Sequence, residues 1–503
     1  AAGKAVREAV PIADHAGWSA PADRPDPVAI LQQQAESRVP ELVTIRYGRM
    51  LVSPFTFYRG GAAIMAWDLS RTATTDIRAQ VCGDAHLLNF GIYAAPDRRM
   101  IFDINDFDET LPASFEWDLK RLVASMVIAA RDNGFSPEEA RQAGYAAAAG
   151  YQANINLLAK MKFLDVWYSR LNVDDLLKII EQNDDEKVAK RAQKTVEKAH
   201  TKTNLGALER YAELTPEGWQ IVPDPPVVER LPLEQLPLAR AVIDQGWQDY
   251  LSTLGAAQRT LVDRYRMEDF ARKVVGVGSV GTRAFMLLTM GDREDDPLFL
   301  QMKQAQASVL EPYAGASAYP QHGQRVVEGQ RLMQSASDSF LGWITSAGGA
   351  HNDFYIRQLR DMKGSMKVEK MDPDRLAGYG VLCAAALARG HARTGDPAKI
   401  AGYVGTDAAA VAELAADPDA DPAAVAAAEE ALLDEAAVVA AAEEQLVEDA
   451  IVVAAAEEQL AEDAEAVAEG IEIVEAEAEI VGAAEEELAD EIVDEAIREA
   501  GGE

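Results

Sequence analysis

The chain has 503 residues, is 48% hydrophobic with seven Trp, and carries a formal net charge of −35. That length supports about two to four domains, or one two-lobed enzyme with additions, and no apolar run nears the roughly 18 residues of a membrane span. Two cysteines, Cys82 and Cys383, exclude a disulfide framework or a cysteine-based zinc site and point to a reducing cytoplasm.

Residues 1–27 are polar and Pro-containing and read as an extended arm, and residues 28–50 as helix after Asp26-Pro27. Ile77 to Cys82 alternates loosely, as a strand does. Phe90 to Tyr93, a turn at Ala95-Pro96-Asp97-Arg98, and Met100 to Ile104 read as a hairpin. Leu119, Leu122, Val123, Met126 and Ala130 fall on one face of a helix over 116–131. Ser136-Pro137-Glu138-Glu139 is a capping box that opens another helix. Residues 180–211 form a charged helical stretch with Lys187, Lys190, Arg191, Lys194, Lys198 and Lys202, either a solvated face or a surface for a phosphorylated acceptor. Residues 214–237 hold six prolines and read as a long ordered loop.

The pattern changes over 269–304. Strand-like Lys273-Val274-Val275 leads into Gly276-Val277-Gly278-Ser279-Val280-Gly281, and Ala284 to Met290 reads as a second strand. A turn at Gly291-Asp292-Arg293-Glu294 precedes Leu298 to Lys303, a third. Residues 322–336 read as helix, 353–359 as strand, and Asp372-Pro373 starts a helix through about His391.

The charge is concentrated at the end of the chain. Residues 407–503 hold 32 of the 83 acids and one base, Arg498, a net of −31, and residues 1–406 a net of −4. The body is close to neutral, and the tail would repel nucleic acid and anionic membrane. Within the tail, Val425, Leu432, Val439 and Leu446 begin a stripe recurring every seven residues to Leu488, the spacing of a long helix. Its second seam position is mostly Ala or an acid, which favours a solvent-exposed helix, or one docked on a partner protein, over a homotypic coiled coil or disorder.

Two acidic motifs carry the chemistry: Cys82-Gly83-Asp84-Ala85-His86-Leu87-Leu88-Asn89 and Phe102-Asp103-Ile104-Asn105-Asp106-Phe107-Asp108. Phosphoryl transfer needs an orienter near the acceptor hydroxyl, oxygen ligands for Mg²⁺, and cations or N–H groups for the phosphates. Asp84, Asn89 and Asp106 are the right groups, and a hairpin would bring Asp106 back beside the other two. Asp and Asn also cap turns, which is the plainer reading of the same residues. The Gly276-x-Gly278-x-x-Gly281 loop leads into a strand instead of a helix, so a hairpin over phosphates fits better than a dinucleotide fold. Lys303 would reach those phosphates, and Glu328 on the next helix would pair with it. The plainer readings are a tight hairpin, a solvated strand-end lysine and a surface acid. His86 fits either a phosphate contact or a structural hydrogen bond, Asp118 a helix N-terminal charge or an orienter of the first motif, and Cys82 packing. A shared phosphate site requires Lys303 within about 10 Å of Asp106.

With Arg46-Tyr47-Gly48-Arg49-Met50, Phe57-Tyr58-Arg59-Gly60, Trp117-Asp118 and Gly323 to Gln330, these motifs make the chain resemble the bacterial family called domain of unknown function 2252, over roughly residues 3–405. More distantly, Gly83-Asp84-x-His86-x-x-Asn89 and Ile104-x-Asp106-Phe107-Asp108 resemble the catalytic loop and metal motif of aminoglycoside and choline kinases. That resemblance implies Asp84 as catalytic base and Asn89 and Asp106 as metal ligands. Cys82 stands where those kinases usually carry His, and the glycine loop and Lys303 follow the acidic motifs instead of preceding them.

The expectation is an α+β, two-lobed, protein-kinase-like fold in circularly permuted order. Residues 1–260 would form the large catalytic lobe and 261–362 the small nucleotide-binding lobe, with a hinge near Gln358. A helix in 363–406 would return to the large lobe, and 407–503 would be the acidic helical tail. The catalytic residues would be Asp84, Lys303 and Glu328, and the metal ligands Asn89 and Asp106. Gly276, Gly278, Ser279, Gly281, Lys303 and Gln358 would bind the cofactors ATP and Mg²⁺. The expected activity is transfer to a small-molecule hydroxyl, with no nucleic-acid or membrane partner. The alternative is a non-catalytic nucleotide-binding scaffold or sensor whose tail docks a partner protein.

Overall fold

A computed structural model of the protein describes residues 1–406 except 184–192, 195, 231–236, 275, 294, 346–351, 360–361 and 365. The acidic tail, and Lys187, Lys190 and Arg191 of the basic stretch, lie outside the described residues. Helix and sheet are mixed, as expected of an α+β chain. Strand β1 (Arg78–Val81) pairs antiparallel with β4 (Leu111–Ser114), and β2 (Phe90–Ala94) with β3 (Met100–Ile104). Phe90 lies opposite Ile104, so the β2–β3 hairpin returns the chain after the second motif to the end of the first.

The main core gathers these strands with helices Phe115–Asp132, Pro137–Leu158 and Pro373–Thr394. The capping box at Ser136 is present, with Ser136 and Glu139 exchanging bonds. Helix Pro373–Thr394 packs along the two earlier helices, where Leu376, Tyr379, Cys383 and Leu387 enter the core.

After a short hairpin of β5 (Ala212–Thr215) and β6 (Gly218–Ile221) comes a six-stranded sheet. Its strands are β7 (Val228–Arg230), β8 (Arg266–Lys273), β9 (Ala284–Met290), β10 (Pro297–Ala305), β11 (Gly342–Thr345) and β12 (Asp353–Gln358). The order is β11-β12-β10-β9-β8-β7, and every pair is antiparallel. Strand β10 is buried along its whole length, and its two faces follow the period of two. Leu298, Leu300 and Met302 pack with Tyr250 and Leu251. On the other face, Phe299 joins the cluster of Leu208 and Leu288, and Ala305 joins the main core. Lys303 lies between those two clusters, where the sheet meets the helical core.

Three expectations change. The N-terminal arm begins with a helix, Ala2–Ala9, packed on helix Pro397–Val404. A Cβ on Gly3 would lie 2.1 Å from the Lys399 carbonyl oxygen, so the contact needs glycine there. Residues 28–50 form two helices, Pro27–Ala35 and Pro40–Met50, because Pro40 disfavours helical geometry at Val39. The loop expected over 214–237 contains β6 and β7: its prolines punctuate short strands, and Gly218 turns the hairpin at φ +117°. The described residues belong to one compact unit. Strand β7 joins the sheet from before residue 261. No helix among the described residues is long and apolar enough to cross a membrane.

Candidate functional site

The first motif begins where β1 ends. Gly83 has φ +82°, and a Cβ there would lie 2.3 Å from the Glu109 carbonyl oxygen, so the turn into Asp84 requires glycine. The buried Asp118 carboxylate, at the start of helix Phe115–Asp132, accepts the N–H groups of Cys82 at 2.7 Å and Gly83 at 3.0 Å. It fixes the loop from behind. Asp118→Ala would leave two buried N–H groups unsatisfied and is expected to cost about 3 kcal/mol in urea unfolding; an unchanged midpoint would refute this role. One helical turn on, Arg121 Nε donates to Asp84 Oδ1 at 2.5 Å, and its guanidinium lies 4.4 Å from the Tyr58 ring centroid.

Asn89 ties the motifs together. Its Nδ2 donates to the carbonyl oxygens of Asp84 (3.0 Å) and Asp106 (2.9 Å), and its Oδ1 accepts the Asp106 N–H at 2.7 Å. Its amide oxygen keeps one lone pair for a further partner. Burial lowers the His86 imidazole to about 4, against a smaller opposing pull from Asp84. It is neutral at pH 7, with a buried Nδ1 that has no partner among the described residues. Cys82 is fully buried, and burial and Asp118 raise its thiol well above its ordinary value, as packing requires.

Lys303 reaches the second motif across 197 residues. Its Nζ lies 3.4 Å from Asp106 Oδ1 and 2.6 Å from Asp108 Oδ2. Tyr355, opposite Lys303 in β12, donates its hydroxyl to Asp108 Oδ1 at 2.7 Å. Lys303 is 2% exposed, whereas the Asp106 side chain is 44% exposed. The cation is thus held beneath carboxylates that open to solvent. Burial pushes the Asp106 carboxyl up, but Lys303 and Arg357 together outweigh it and hold it at about 2. Burial likewise opposes charge on Lys303, and Asp106 and Asp108 overcome it, raising the ammonium above its ordinary range.

The glycine loop joins β8 to β9, with φ +74° at Gly276 and +89° at Gly281. A Cβ on Gly276 would meet Ser279 Oγ at 2.5 Å, and one on Gly278 would lie 3.1 Å from the Arg59 carbonyl oxygen. Arg49 donates to the Gly276 carbonyl at 2.6 Å, Val39 N–H to the Gly281 carbonyl at 2.8 Å, and Arg38 to the Val280 carbonyl. Helices Pro27–Ala35, Pro40–Met50 and Pro54–Gly60 therefore lie against this loop, a cover the sequence did not announce.

Glu328 and Lys303 have different partners: Glu328 bonds Arg331 at 2.9 Å, one helical turn away. The residue of that helix aimed at the site is Arg325, whose guanidinium donates to the carbonyl oxygens of Asp108 and Thr110, each at 2.7 Å. Gln358 ends β12, where its N–H meets Asp338 and its side chain Asn204. Sequence reasoning also missed Asp108, Arg121, Tyr355 and Arg357, the last donating to the Asn105 carbonyl at 3.0 Å. Asp108 had a visible signal, as the second acid of Asp-Phe-Asp. Arg121 had a weaker one, three residues after Asp118.

The oxygen set fits a hard divalent cation. Asp106 and Asp108 supply solvent-facing carboxylate oxygens and Asn89 an amide oxygen, and Mg²⁺ commonly takes one or two carboxylates and completes its shell with water and phosphate. No cluster of three or more His, Cys, Asp or Glu among the described residues is arranged to hold a metal by protein ligands alone. A polar cleft of about 400 Å³, lined by residues including Arg71, Asp76, Arg78 and Tyr313, contains no residue of the two acidic motifs or the glycine loop.

No curated protein and no solved structure matches the chain. A family model, described as an uncharacterized protein conserved in bacteria (DUF2252), matches residues 38–418. That span takes in both acidic motifs, the glycine loop, Lys303 and most of the covering helices, and the chain belongs to this family.

Proposed function

We propose that this chain is a Mg²⁺- and ATP-dependent phosphotransferase acting on a small-molecule hydroxyl, with a two-lobed, circularly permuted kinase-like body. The observation that carries the reading is the meeting of Lys303 with Asp106 and Asp108, 197 and 195 residues away in sequence. ATP would supply the phosphoryl group, and Mg²⁺ would neutralise charge on its phosphates. On the protein side, Asp106 and Asp108 with the Asn89 amide oxygen would hold the metal, and Asn89 also fixes Asp106 against Asp84. Lys303 sets the charge of the carboxylate pair from beneath. Asp84 Oδ2, the oxygen not bonded to Arg121, holds the proton of the acceptor hydroxyl.

That bond from Arg121 to Asp84 Oδ1 also favours the second reading, a nucleotide-binding scaffold whose acidic tail docks a partner, because it takes up half of the proposed base. ATP labelled at the α or γ position separates the two. Incubated with the full chain and hydroxyl-bearing acceptors, γ-label is expected to move to the acceptor, with Asp84→Asn slowing transfer by at least about 10²-fold. Label from the α position appearing on protein would mean nucleotidyl transfer instead. Binding of ATP with neither label moving would favour the scaffold.

A further inference from the structure

Three arginines of the covering segment, Arg38 in the turn between its first two helices and Arg46 and Arg59 on helices, have no acidic partner: among the described residues, no carboxylate lies within ion-pair distance of any of them. Arg46 is 0% exposed, and its Nε and Nη1 are without hydrogen-bond partners. Its Nη2 donates to Gln34 (3.1 Å) and to the carbonyl of Gly60, next to Arg59 (3.3 Å). Arg38 and Arg59 are half-buried, and the Nε of each also lacks a partner. Arg38 lies over Gly281, 3.0–3.4 Å from where a Cβ would sit, and Arg59 touches Gly278 through its carbonyl. Both are within the field of the acidic motifs, Arg38 of Glu109 and Asp108 and Arg59 of Asp84. Burial lowers all three guanidinium groups, Arg38 to about 10 with a further push from Arg46.

Buried charge is expensive unless it is paired, and a folded chain that keeps three such cations together beside a glycine loop lacks their counter-charge. The forked guanidinium matches phosphate oxygens best. The geometry points to a phosphate site in which Arg38 and Arg59 contact the oxyanion at the glycine loop and Arg46 stands behind them as a fixed positive charge. It rests on the phosphotransfer reading only for its biological use, since it stands on the arginines alone.

The test uses the full chain with tripolyphosphate, inorganic phosphate and adenosine as probes, read by thermal unfolding and calorimetry. Tripolyphosphate is expected to raise Tm, less so at high salt, and adenosine to leave it unmoved. Arg38→Gln and Arg59→Gln are each expected to weaken tripolyphosphate binding by about tenfold or more. Arg46→Met is expected to leave the Tm of the free protein unchanged or raised while weakening tripolyphosphate binding. A purely structural Arg46 would do the reverse, lowering Tm with binding unaltered, and would remove it from the site. Tripolyphosphate competing with ATP assigns the site to the nucleotide, and additive binding assigns it to a phosphate on the acceptor. Tripolyphosphate binding without ATP binding upholds the site and sinks the phosphotransfer reading. ATP and tripolyphosphate binding both undiminished in the Arg38→Gln/Arg59→Gln double variant overturns the site and leaves that reading standing.

Discussion

Lys303→Met is expected to abolish metal-dependent ATP binding and to release Asp106 from its low titration range. In the native protein the ammonium lies 2.6 Å from Asp108 and 3.4 Å from Asp106. Without it two carboxylates share the opening with only Arg357 and the Tyr355 hydroxyl to offset them. Loss of a preorganised charge at a phosphate site costs roughly 10²–10³ in rate, and a comparable fall in turnover is expected. The pH signature has a definite sign. Asp106 titrates near 2 in place of 3.8, so its contribution to stability is present above about pH 4 and is lost as pH falls toward 2. Lys303 is raised above 10.5, so its contribution is present below that pH and lost only in strong alkali. Stability of Lys303→Met should therefore vary less with pH between about 4 and 2 than that of the native chain. An unshifted Asp106 carboxyl in the variant, followed by carbon-detected NMR, would break the proposed coupling.

Asp103→Ala is expected to give the largest loss of stability near the site, about 3–5 kcal/mol, because it breaks a buried ion pair and strands one charge. Asp103 is 0% exposed and accepts Arg389 at 2.5 Å and the Ser335 N–H and hydroxyl at 2.9 and 3.0 Å. One carboxylate thus joins β3, the segment after helix His322–Met333, and helix Pro373–Thr394. The Nε and Nη1 of Arg389 are buried without other partners, so the stranded guanidinium would have nowhere to turn. Asp103→Asn with Arg389→Gln should cost less than the two single changes added together. A loss under about 1 kcal/mol in urea unfolding of Asp103→Ala would contradict this.

The local elements of the site were legible because their signals are local. The hairpin Phe90–Ala94 to Met100–Ile104, the capping box at Ser136 and the strand ending near Lys303 each follow from alternation or from a cap. The predicted proximity of Lys303 to Asp106 followed from the chemistry a phosphate site needs, and 3.4 Å is well inside the requirement. What failed depends on the tertiary environment. Its place on the next helix suggests Glu328 as the partner of Lys303, but a helix can satisfy its own acid, here through Arg331. Nothing in the spacing of Asp26 to Gly60 says that its arginines cover the glycine loop, because that contact joins segments more than two hundred residues apart. The proline-rich stretch before 237 reads as loop because β6 and β7, at four and three residues, are too short to show periodicity.

Calorimetric titration of the full chain with ATP, with and without Mg²⁺, tests the central claim most directly when repeated on Asp106→Ala. Native protein should bind ATP in the presence of Mg²⁺, and Asp106→Ala should lose the metal-dependent part while keeping its fold by circular dichroism. Absence of binding by the native chain at millimolar ATP, or metal-dependent binding that survives in Asp106→Ala, would contradict the assignment of Asp106 and Lys303 to one phosphate site.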